Sequence, residues 1–175
     1  SILFPQYRAK REIRISEQES KILFTNFFIQ KKTLFSVEVP TMSRHGDLEM
    51  SGRFDLVTYK GNPLKFDWII ELKAHNPRVE SFRKDLEKIW KSGCDCLWFH
   101  TLKNNNSGTF PSILKKFKQA FELITTAPNV DKSKVNLLLV FVVIERKTMY
   151  SIRIDLNEWE KIKVISEKNF SQINL

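Results

Sequence analysis

The chain has 175 residues, 42% of them apolar, with a formal net charge of +9 and a pI of about 9.6. This length and apolar content predict a single folded domain with a substantial core, and argue against a disordered chain. The positive charge favours a polyanionic partner, most often nucleic acid, although many surface lysines alone would also make a protein basic.

No apolar run approaches the roughly 18 residues that a membrane-spanning helix needs. The longest run, residues 137–144, has the length of a buried strand. The N-terminus is charged and lacks the apolar segment of a signal peptide, so we expect a cytoplasmic protein that does not contact a membrane. Cys94 and Cys96 have no further zinc ligands at suitable spacing and are expected to be free thiols in a reducing compartment.

The first 30 residues predict a basic arm followed by a helix. Residues 1–15 form either a solvated terminus or an arm that contacts phosphates. Ser16, with Glu19 three residues later, has the pattern of a capping box and predicts a helix over residues 16–30. The predicted buried face of this helix consists of Ile22, Leu23, Asn26, Phe27 and Ile29.

An alternating pattern predicts a strand over residues 33–39, which Pro40 is expected to end. Glu38 in this strand is either a solvated edge residue or an acidic group that faces a site. Residues 41–52 are polar and are predicted to form a loop. Such a loop either contacts substrate, with Arg44 and His45 near phosphate and His45 as a candidate base, or only connects two strands.

Residues 53–73 predict a hairpin with charged residues in unusual places. Residues 54–57 form the first predicted strand, residues 61–63 the turn and residues 66–73 the second strand. Three charged residues stand where a sheet protein is expected to be apolar: Asp55, Glu71 and Lys73.

Alternation along a strand places Glu71 and Lys73 on one face of this hairpin. The other face is predicted to enter a core, with Phe66, Trp68, Ile70 and Leu72. A register that pairs Asp55 with Glu71 brings two carboxylates and a lysine together. Two converging carboxylates repel unless a cation lies between them, and hard divalent cations take oxygen ligands. The alternative is a salt-bridge ladder on a solvated face of the sheet.

Beyond the hairpin the pattern predicts alternating helices and strands. The predicted helices cover residues 78–92, 110–125 and 157–165, and the predicted strands cover residues 95–101, 135–144 and 149–156. Gly93 is expected to stop the first of these helices. The charges of that helix, Arg83 to Lys88, are expected to pair on its surface. The order strand, helix, strand indicates a crossover between parallel neighbours.

The predicted order of helix, three strands, helix and strand carries Asp55, then 15 residues, then Glu71-Leu72-Lys73. This arrangement resembles the PD-(D/E)xK nuclease superfamily, whose restriction-endonuclease-like α/β fold has an αβββαβ core: a central mixed sheet flanked by helices. The resemblance covers about residues 16–101, and residues 102–175 would add C-terminal strands and a helix to the same domain. One departure is Phe54, which stands where the family often has proline.

The resemblance implies a Mg²⁺-dependent endonuclease that hydrolyses DNA. Asp55, Glu71 and the Leu72 carbonyl would bind Mg²⁺, for which Mn²⁺ can substitute. The ion would polarise the phosphodiester and activate water. Lys73 would orient or deprotonate that water and offset charge on the phosphorus.

Further assignments follow from the same resemblance. Family members often carry an additional acidic residue on the first helix, which here favours Glu19, with Glu38 as the alternative. The implied partner is DNA, expected to be double-stranded, and the implied DNA contacts are Arg44, His45, Arg53 and Arg83. The family also implies a homodimer or a larger complex in restriction, mobile-element or phage-defence systems.

Two alternatives stay open from the sequence. One is a catalytically silent nucleic-acid-binding or assembly module of the same fold, although an intact Asp55, Glu71 and Lys73 set argues against it. The other is a structural protein whose basic surface binds acidic partners. The three hypotheses differ in whether the chain cleaves nucleic acid, only binds it, or does neither.

Overall fold

The computed structural model describes residues 16–45, 50–104, 109–125, 136–155 and 169–174, with the side chains of 42–45, 50, 51 and 125 left out. The predicted N-terminal arm and the helix predicted over residues 157–165 lie outside this part of the chain. In chain order the elements are α1 Glu17–Lys31, β1 Phe35–His45, β2 Met50–Lys60, β3 Lys65–Ala74, α2 Val79–Ser92, β4 Asp95–Leu102, α3 Thr109–Thr125, β5 Asn136–Val143, β6 Thr148–Asp155 and β7 Ser171–Asn174.

The described strands form one mixed sheet whose spatial order is the chain order, β1 to β7. β1, β2 and β3 are antiparallel, β3, β4 and β5 are parallel, and β5, β6 and β7 are again antiparallel. The helices α2 and α3 connect the parallel strands, as a parallel pair requires a crossover. The predicted α/β class and the αβββαβ order are therefore confirmed, and β7 is an element that the sequence pattern did not predict.

The sheet has a helix layer on each face. The larger apolar cluster packs the sheet against α2 and α3, and the smaller one packs it against α1. The larger cluster contains Val57, Ile69, Trp98 and Phe141 from the strands with Phe82, Ile89, Phe117 and Phe121 from the helices. The smaller cluster is formed by Phe28, Leu56, Ile70 and Leu72. Alternation along β3 thus sends Ile69 and Ile70 to opposite faces.

Strand β1 does not end at Pro40, so that prediction is wrong. Pro40 lies opposite Arg53, and the strand continues to His45 after a register shift. Proline is tolerated because β1 is an edge strand, where one side of the backbone has no partner strand. Residues 41–45 and 50–52 are consequently strand rather than loop. Near the shift the Thr41 hydroxyl bridges the strands by accepting the N–H of Gly52 at 3.0 Å.

Helix α1 buries a different face from the predicted one. Ile22, Phe27 and Ile29 are 58%, 50% and 66% exposed, whereas Phe28 is buried. The reason is that apolar residues lie all around this helix, so periodicity cannot select a face. Its cap also differs, because Ser16 makes no side-chain hydrogen bond to the backbone and its hydroxyl donates to the Glu19 carboxylate instead.

Other predicted features agree with the structure. Cys94 and Cys96 are free thiols, half-buried and buried respectively. Gly93 ends α2 in the left-handed conformation, with φ of 64°. Within the described residues we find no helix whose length and apolar character would allow it to cross a bilayer.

Candidate active site

The hairpin register brings Asp55 to the peptide bond between Glu71 and Leu72. Leu56 lies opposite Ile70 and Val57 opposite Ile69, which is the register expected to place Asp55 beside Glu71. Asp55 Oδ2 accepts the main-chain N–H of Leu72 at 2.8 Å. Both halves of the predicted motif therefore meet at one point of the sheet, where β2 and β3 run side by side.

The side chains of Glu71 and Lys73 lie on the face of β3 that packs against α2. Glu71 is 1% exposed and Lys73 is 7% exposed, so the salt-bridge ladder on a solvated face is excluded. Phe66 does not follow the alternation that the sequence predicted, because it packs against the larger cluster beyond a register shift between Val57 and Tyr59. Helix α2 meets the two charges with Asp85 and Lys88, both buried.

Lys88 holds the Glu71 carboxylate. Its Nζ lies 2.9 Å from Glu71 Oε1 and 3.0 Å from Oε2, to which it donates a hydrogen bond. It also lies 2.7 Å from Asp85 Oδ1 and donates to the Arg53 carbonyl at 2.8 Å. Although close to the ammonium, Glu71 Oε1 has no aligned donor among the described residues. The ammonium group of Lys88 therefore lies among four oxygen atoms from three residues.

Lys73 pairs with the second carboxylate oxygen of Asp85. Its Nζ lies 2.7 Å from Asp85 Oδ2 and 3.8 Å from Oε1 of Glu17 in the first turn of α1. It also lies 5.9 Å from the centre of the Trp98 ring, within range of a cation–π contact. Asp85 thus bridges the two lysines with one carboxylate oxygen each, and helices from both faces of the sheet contribute to the cluster.

Burial and neighbouring charges shift the pKa values of this cluster. Burial raises the pKa of Glu71 well above its usual value, and Asp85 and Asp55 add to this rise while Lys88 opposes it. Burial works to lower the pKa of both Lys73 and Lys88, but the facing carboxylates outweigh it and raise both. The two lysines are consequently charged at neutral pH, and a bound cation would favour the ionised form of Glu71.

The composition of the cluster fits a hard divalent cation. Four carboxylates, when ionised, face three ammonium groups, and one negative charge remains; the carboxylates belong to Glu17, Asp55, Glu71 and Asp85, and the ammonium groups to Lys21, Lys73 and Lys88. In the described part of the chain, no three His, Cys, Asp or Glu side chains are grouped so that they alone could hold a metal ion. Two carboxylates nevertheless suffice for Mg²⁺, which keeps several waters and takes oxygens from a substrate phosphate.

The predicted auxiliary acids lie at the margin of this cluster. Glu19 pairs with the Ser16 hydroxyl, and Glu38 pairs with Lys21 at the surface. Lys21 in turn lies 3.9 Å from Asp55 Oδ1. The first-helix carboxylate beside Lys73 is that of Glu17, so the geometry favours Glu17, while the roles of Glu19 and Glu38 stay predictions.

The residues predicted to contact DNA differ in their exposure and in their distance from the cluster. Arg53 is exposed and adjoins the cluster, since its carbonyl accepts from Lys88. Arg83 is half-buried on α2. Arg44 and His45 lie in the last residues of β1, and their side chains lie outside the described part of the chain. Their contacts with nucleic acid stay predictions.

Sequence reasoning gave Glu17 no role, and for Asp85 and Lys88 it preferred pairing on the surface of α2 to a place at the site, where related nucleases often carry polar residues. The prediction that Asp85 and Lys88 pair on the helix surface is wrong, because both are buried between α2 and the sheet. A signal was present: Phe82, Asp85 and Ile89 recur at helical spacing, so Asp85 falls within the apolar stripe of α2. A carboxylate in such a stripe requires a buried partner.

No protein-family model and no curated protein matches the chain. Among solved structures, the calcium complex of SfsA from Pyrococcus furiosus is similar, with 13% identity and a TM-score of 0.36. The match covers 78% of this chain, which spans 63% of the length of that protein.

Proposed function

We propose that the chain is a divalent-cation-dependent nuclease that hydrolyses phosphodiester bonds of DNA. The observation that carries this proposal is the 2.8 Å hydrogen bond from the Leu72 N–H to Asp55. It joins the two halves of the motif at a spot where Glu71 and Lys73 are buried side by side. An acidic pocket within a chain of net charge +9 suits an enzyme that binds cations locally and phosphates broadly.

The residues that would hold the cation are Asp55, Glu71 and the Leu72 carbonyl, with Mg²⁺ or Mn²⁺ as the ion. When bound, the ion would neutralise phosphate charge and polarise the bond to be cleaved. Asp55 is fixed for this purpose by the Leu72 N–H. Glu71 is fixed by its burial between β3 and α2.

Lys73 acts as an electrostatic stabiliser in this proposal. Its raised pKa keeps the ammonium protonated, so it donates hydrogen bonds to a phosphate oxygen or to the attacking water and offsets the charge that develops on the phosphate. Asp85, at 2.7 Å, orients the ammonium. Glu17 is near enough to limit its movement on the other side.

The basic surface would bind the DNA backbone. The net charge of +9 favours phosphate contacts that do not depend on sequence. Exposed Arg53 lies at the rim of the cluster and is the first candidate for such a contact. We extend the proposal to double-stranded DNA cleaved by a homodimer, or by a larger restriction, mobile-element or phage-defence complex.

A binding or assembly module without catalysis is the second candidate. The observation that favours it is the engagement of Glu71 by Lys88, which occupies the carboxylate that a metal would need. The two candidates differ in one measurable property, since only the nuclease cleaves DNA when a divalent cation is added.

The test is plasmid cleavage with Mg²⁺ or Mn²⁺ by the wild-type chain, Asp55→Asn and Lys73→Met. We expect each variant to lose at least about a hundredfold in rate, because each removes a charge that acts on the reacting phosphate. Asp67→Asn is the matched control, since Asp67 lies on the same hairpin and pairs with Lys60 at the surface, 2.5 Å away. Its rate should equal that of the wild type.

Two outcomes would contradict the nuclease. A folded wild-type chain that retards DNA in a gel but cleaves neither DNA nor RNA with either metal would be the binding module. Cleavage that persists in both Asp55→Asn and Lys73→Met would point to a contaminating nuclease or to another site.

A further inference from the structure

We propose that Lys88 occupies the cation position of this site, and that a divalent cation binds Glu71 only by displacing the Lys88 ammonium group. This inference rests on the proposed function, because it concerns the same cation. It assigns to Lys88 a positioning role that neither the motif nor the charge of the chain indicates.

The surroundings of Lys88 Nζ are those of a bound cation. Four oxygens lie between 2.7 and 3.0 Å from it: both oxygens of Glu71, one of Asp85 and the Arg53 carbonyl. Carboxylate and main-chain carbonyl oxygens are also the ligands that Mg²⁺ and Ca²⁺ take. An ammonium has three N–H donors, and it leaves Glu71 Oε1 close but without an aligned donor.

Simultaneous occupancy is unfavourable for electrostatic reasons. A divalent ion at ligand distance from Glu71 would lie within a few ångströms of the Lys88 ammonium, and two positive charges repel strongly in a buried site. Lys88 has an alternative partner, since Asp85 Oδ1 at 2.7 Å can retain the ammonium after the Glu71 contacts break. Its flexible four-carbon stem permits such a movement without displacing α2.

Lys73 does not compete for the cation in the same way. The carboxylates close to its Nζ belong to Asp85 and Glu17, neither of which is a proposed metal ligand. The two buried lysines therefore have different tasks. Lys73 faces the reacting phosphate, whereas Lys88 neutralises Glu71 until a cation replaces it.

The test is calorimetric titration of Ca²⁺, which binds oxygen ligands and can be measured without DNA. Lys88→Met removes the competing charge and keeps the length of the side chain. We expect it to bind Ca²⁺ at least about tenfold more tightly than the wild type, a difference of about 1.4 kcal/mol. Lys91→Met is the matched control, since Lys91 lies on the same helix, three residues after Lys88, and pairs with Glu87 at 2.6 Å. The affinity of this variant for Ca²⁺ should match that of the wild type.

A measurement on the wild type guards against a Lys88→Met variant that fails to fold. An amine-reactive reagent, read by mass spectrometry, should label Lys88 several-fold more in Ca²⁺ than in chelator, because the ammonium loses its contacts with both Glu71 oxygens. Labelling of Lys91 should not change and serves as the internal reference.

The outcomes separate this inference from the proposed function. If the wild type binds Ca²⁺ but Lys88→Met binds no tighter, or Lys88 labelling is unchanged by bound Ca²⁺, the inference is overturned and the nuclease stands. If neither protein binds Ca²⁺, Mg²⁺ or Mn²⁺, both the inference and the proposed function are overturned.

Discussion

The two faces of the sheet differ in how completely they are packed. Against α2 and α3 the strands bury a large aromatic cluster, in which Phe82 stacks on Trp98 with an interplanar angle of 7°. Against α1 the cluster is small, and an apolar cavity of about 350 Å³ lies beside it, lined in part by Phe24, Phe28 and Leu97. The buried carboxylates and lysines lie on the well-packed face.

The close packing against α2 explains why the charged network persists there. Buried charges are costly unless every partner is held in place, because the low dielectric penalises each unpaired group. Side chains locked by close packing provide that support, as a reactive site requires. The α1 face contributes Glu17 from its first turn, 3.8 Å from Lys73, which is a looser contact than those made by α2.

Truncating one aromatic residue on each face tests the comparison most strongly. Phe82 has 0% exposure, and Phe82→Ala should lower the free energy of unfolding by about 3–5 kcal/mol because it leaves a cavity under Trp98. Phe24 is only partly buried beside the cavity, and Phe24→Ala should cost about 1–2 kcal/mol. Urea denaturation of both variants measures the two costs.

Equal losses for the two variants would mean that the two faces of the sheet support the fold equally. A large loss for Phe82→Ala should also weaken Ca²⁺ binding, since Phe82 and Asp85 lie on neighbouring turns of α2. Phe24→Ala should leave that binding unchanged.

Removing one carboxylate from each face of the sheet gives the next largest difference in stability. Asp85→Asn leaves Lys73 without its 2.7 Å partner and leaves Lys88 with the Glu71 carboxylate and the Arg53 carbonyl. Loss of one member of a buried ion network costs about 3–5 kcal/mol, and we expect the lower end because Glu71 still pairs with Lys88. Asp67, whose partner Lys60 is exposed, lies beside the α1-face cavity.

Asp67→Asn should therefore change the denaturation midpoint very little, because exposed ion pairs contribute little to stability. Should Asp85→Asn unfold at the same urea concentration as Asp67→Asn, the buried network would add no more than a surface pair. The proposed arrangement of Lys73 and Lys88 would then lose its support.

Much of this architecture was accessible from the sequence, for reasons visible in particular residues. Local signals sufficed where one pattern dominated: Gly93 ended α2, and the apolar run after residue 135 formed β5. Alternation placed Glu71 and Lys73 on one face of β3. The register that puts Asp55 at the Leu72 N–H was only assumed, because the turn at Gly61 does not fix it: the pairing next to the turn, Lys60 with Lys65, is separated from that of Val57 with Ile69 by a register shift.

The remainder depended on contacts between elements distant in the chain. Pro40 predicted a strand end, but the position of β1 at the sheet edge made it harmless. Phe24 and Phe28, rather than Ile22 and Phe27, face the sheet, because α1 is apolar on all sides. Asp85 and Lys88 resembled surface charges, since nothing local shows that Glu71 and Lys73 lie beneath α2.

The last prediction concerns pH and a neutral group on the well-packed face. His100 is buried against Phe82 and Phe141, and burial lowers its pKa from 6.5 to about 4. Because the folded pKa is the lower one, this group's contribution to stability is fully present above pH 6.5 and is lost as the pH falls towards 4. The shift corresponds to about 3 kcal/mol.

We therefore expect His100→Gln to remove that part of the acid sensitivity. Glutamine keeps a donor for the His75 carbonyl, which His100 Nε2 contacts at 2.7 Å in the wild type. The measurement is urea denaturation of wild type and variant at pH 7 and pH 4, and the change between the two pH values should be about 3 kcal/mol smaller in the variant. Equal acid losses in the two proteins would show that His100 is not held neutral. The packing of the sheet against α2 would then admit a charge at His100, although burial in a tightly packed apolar environment penalises protonation of an imidazole.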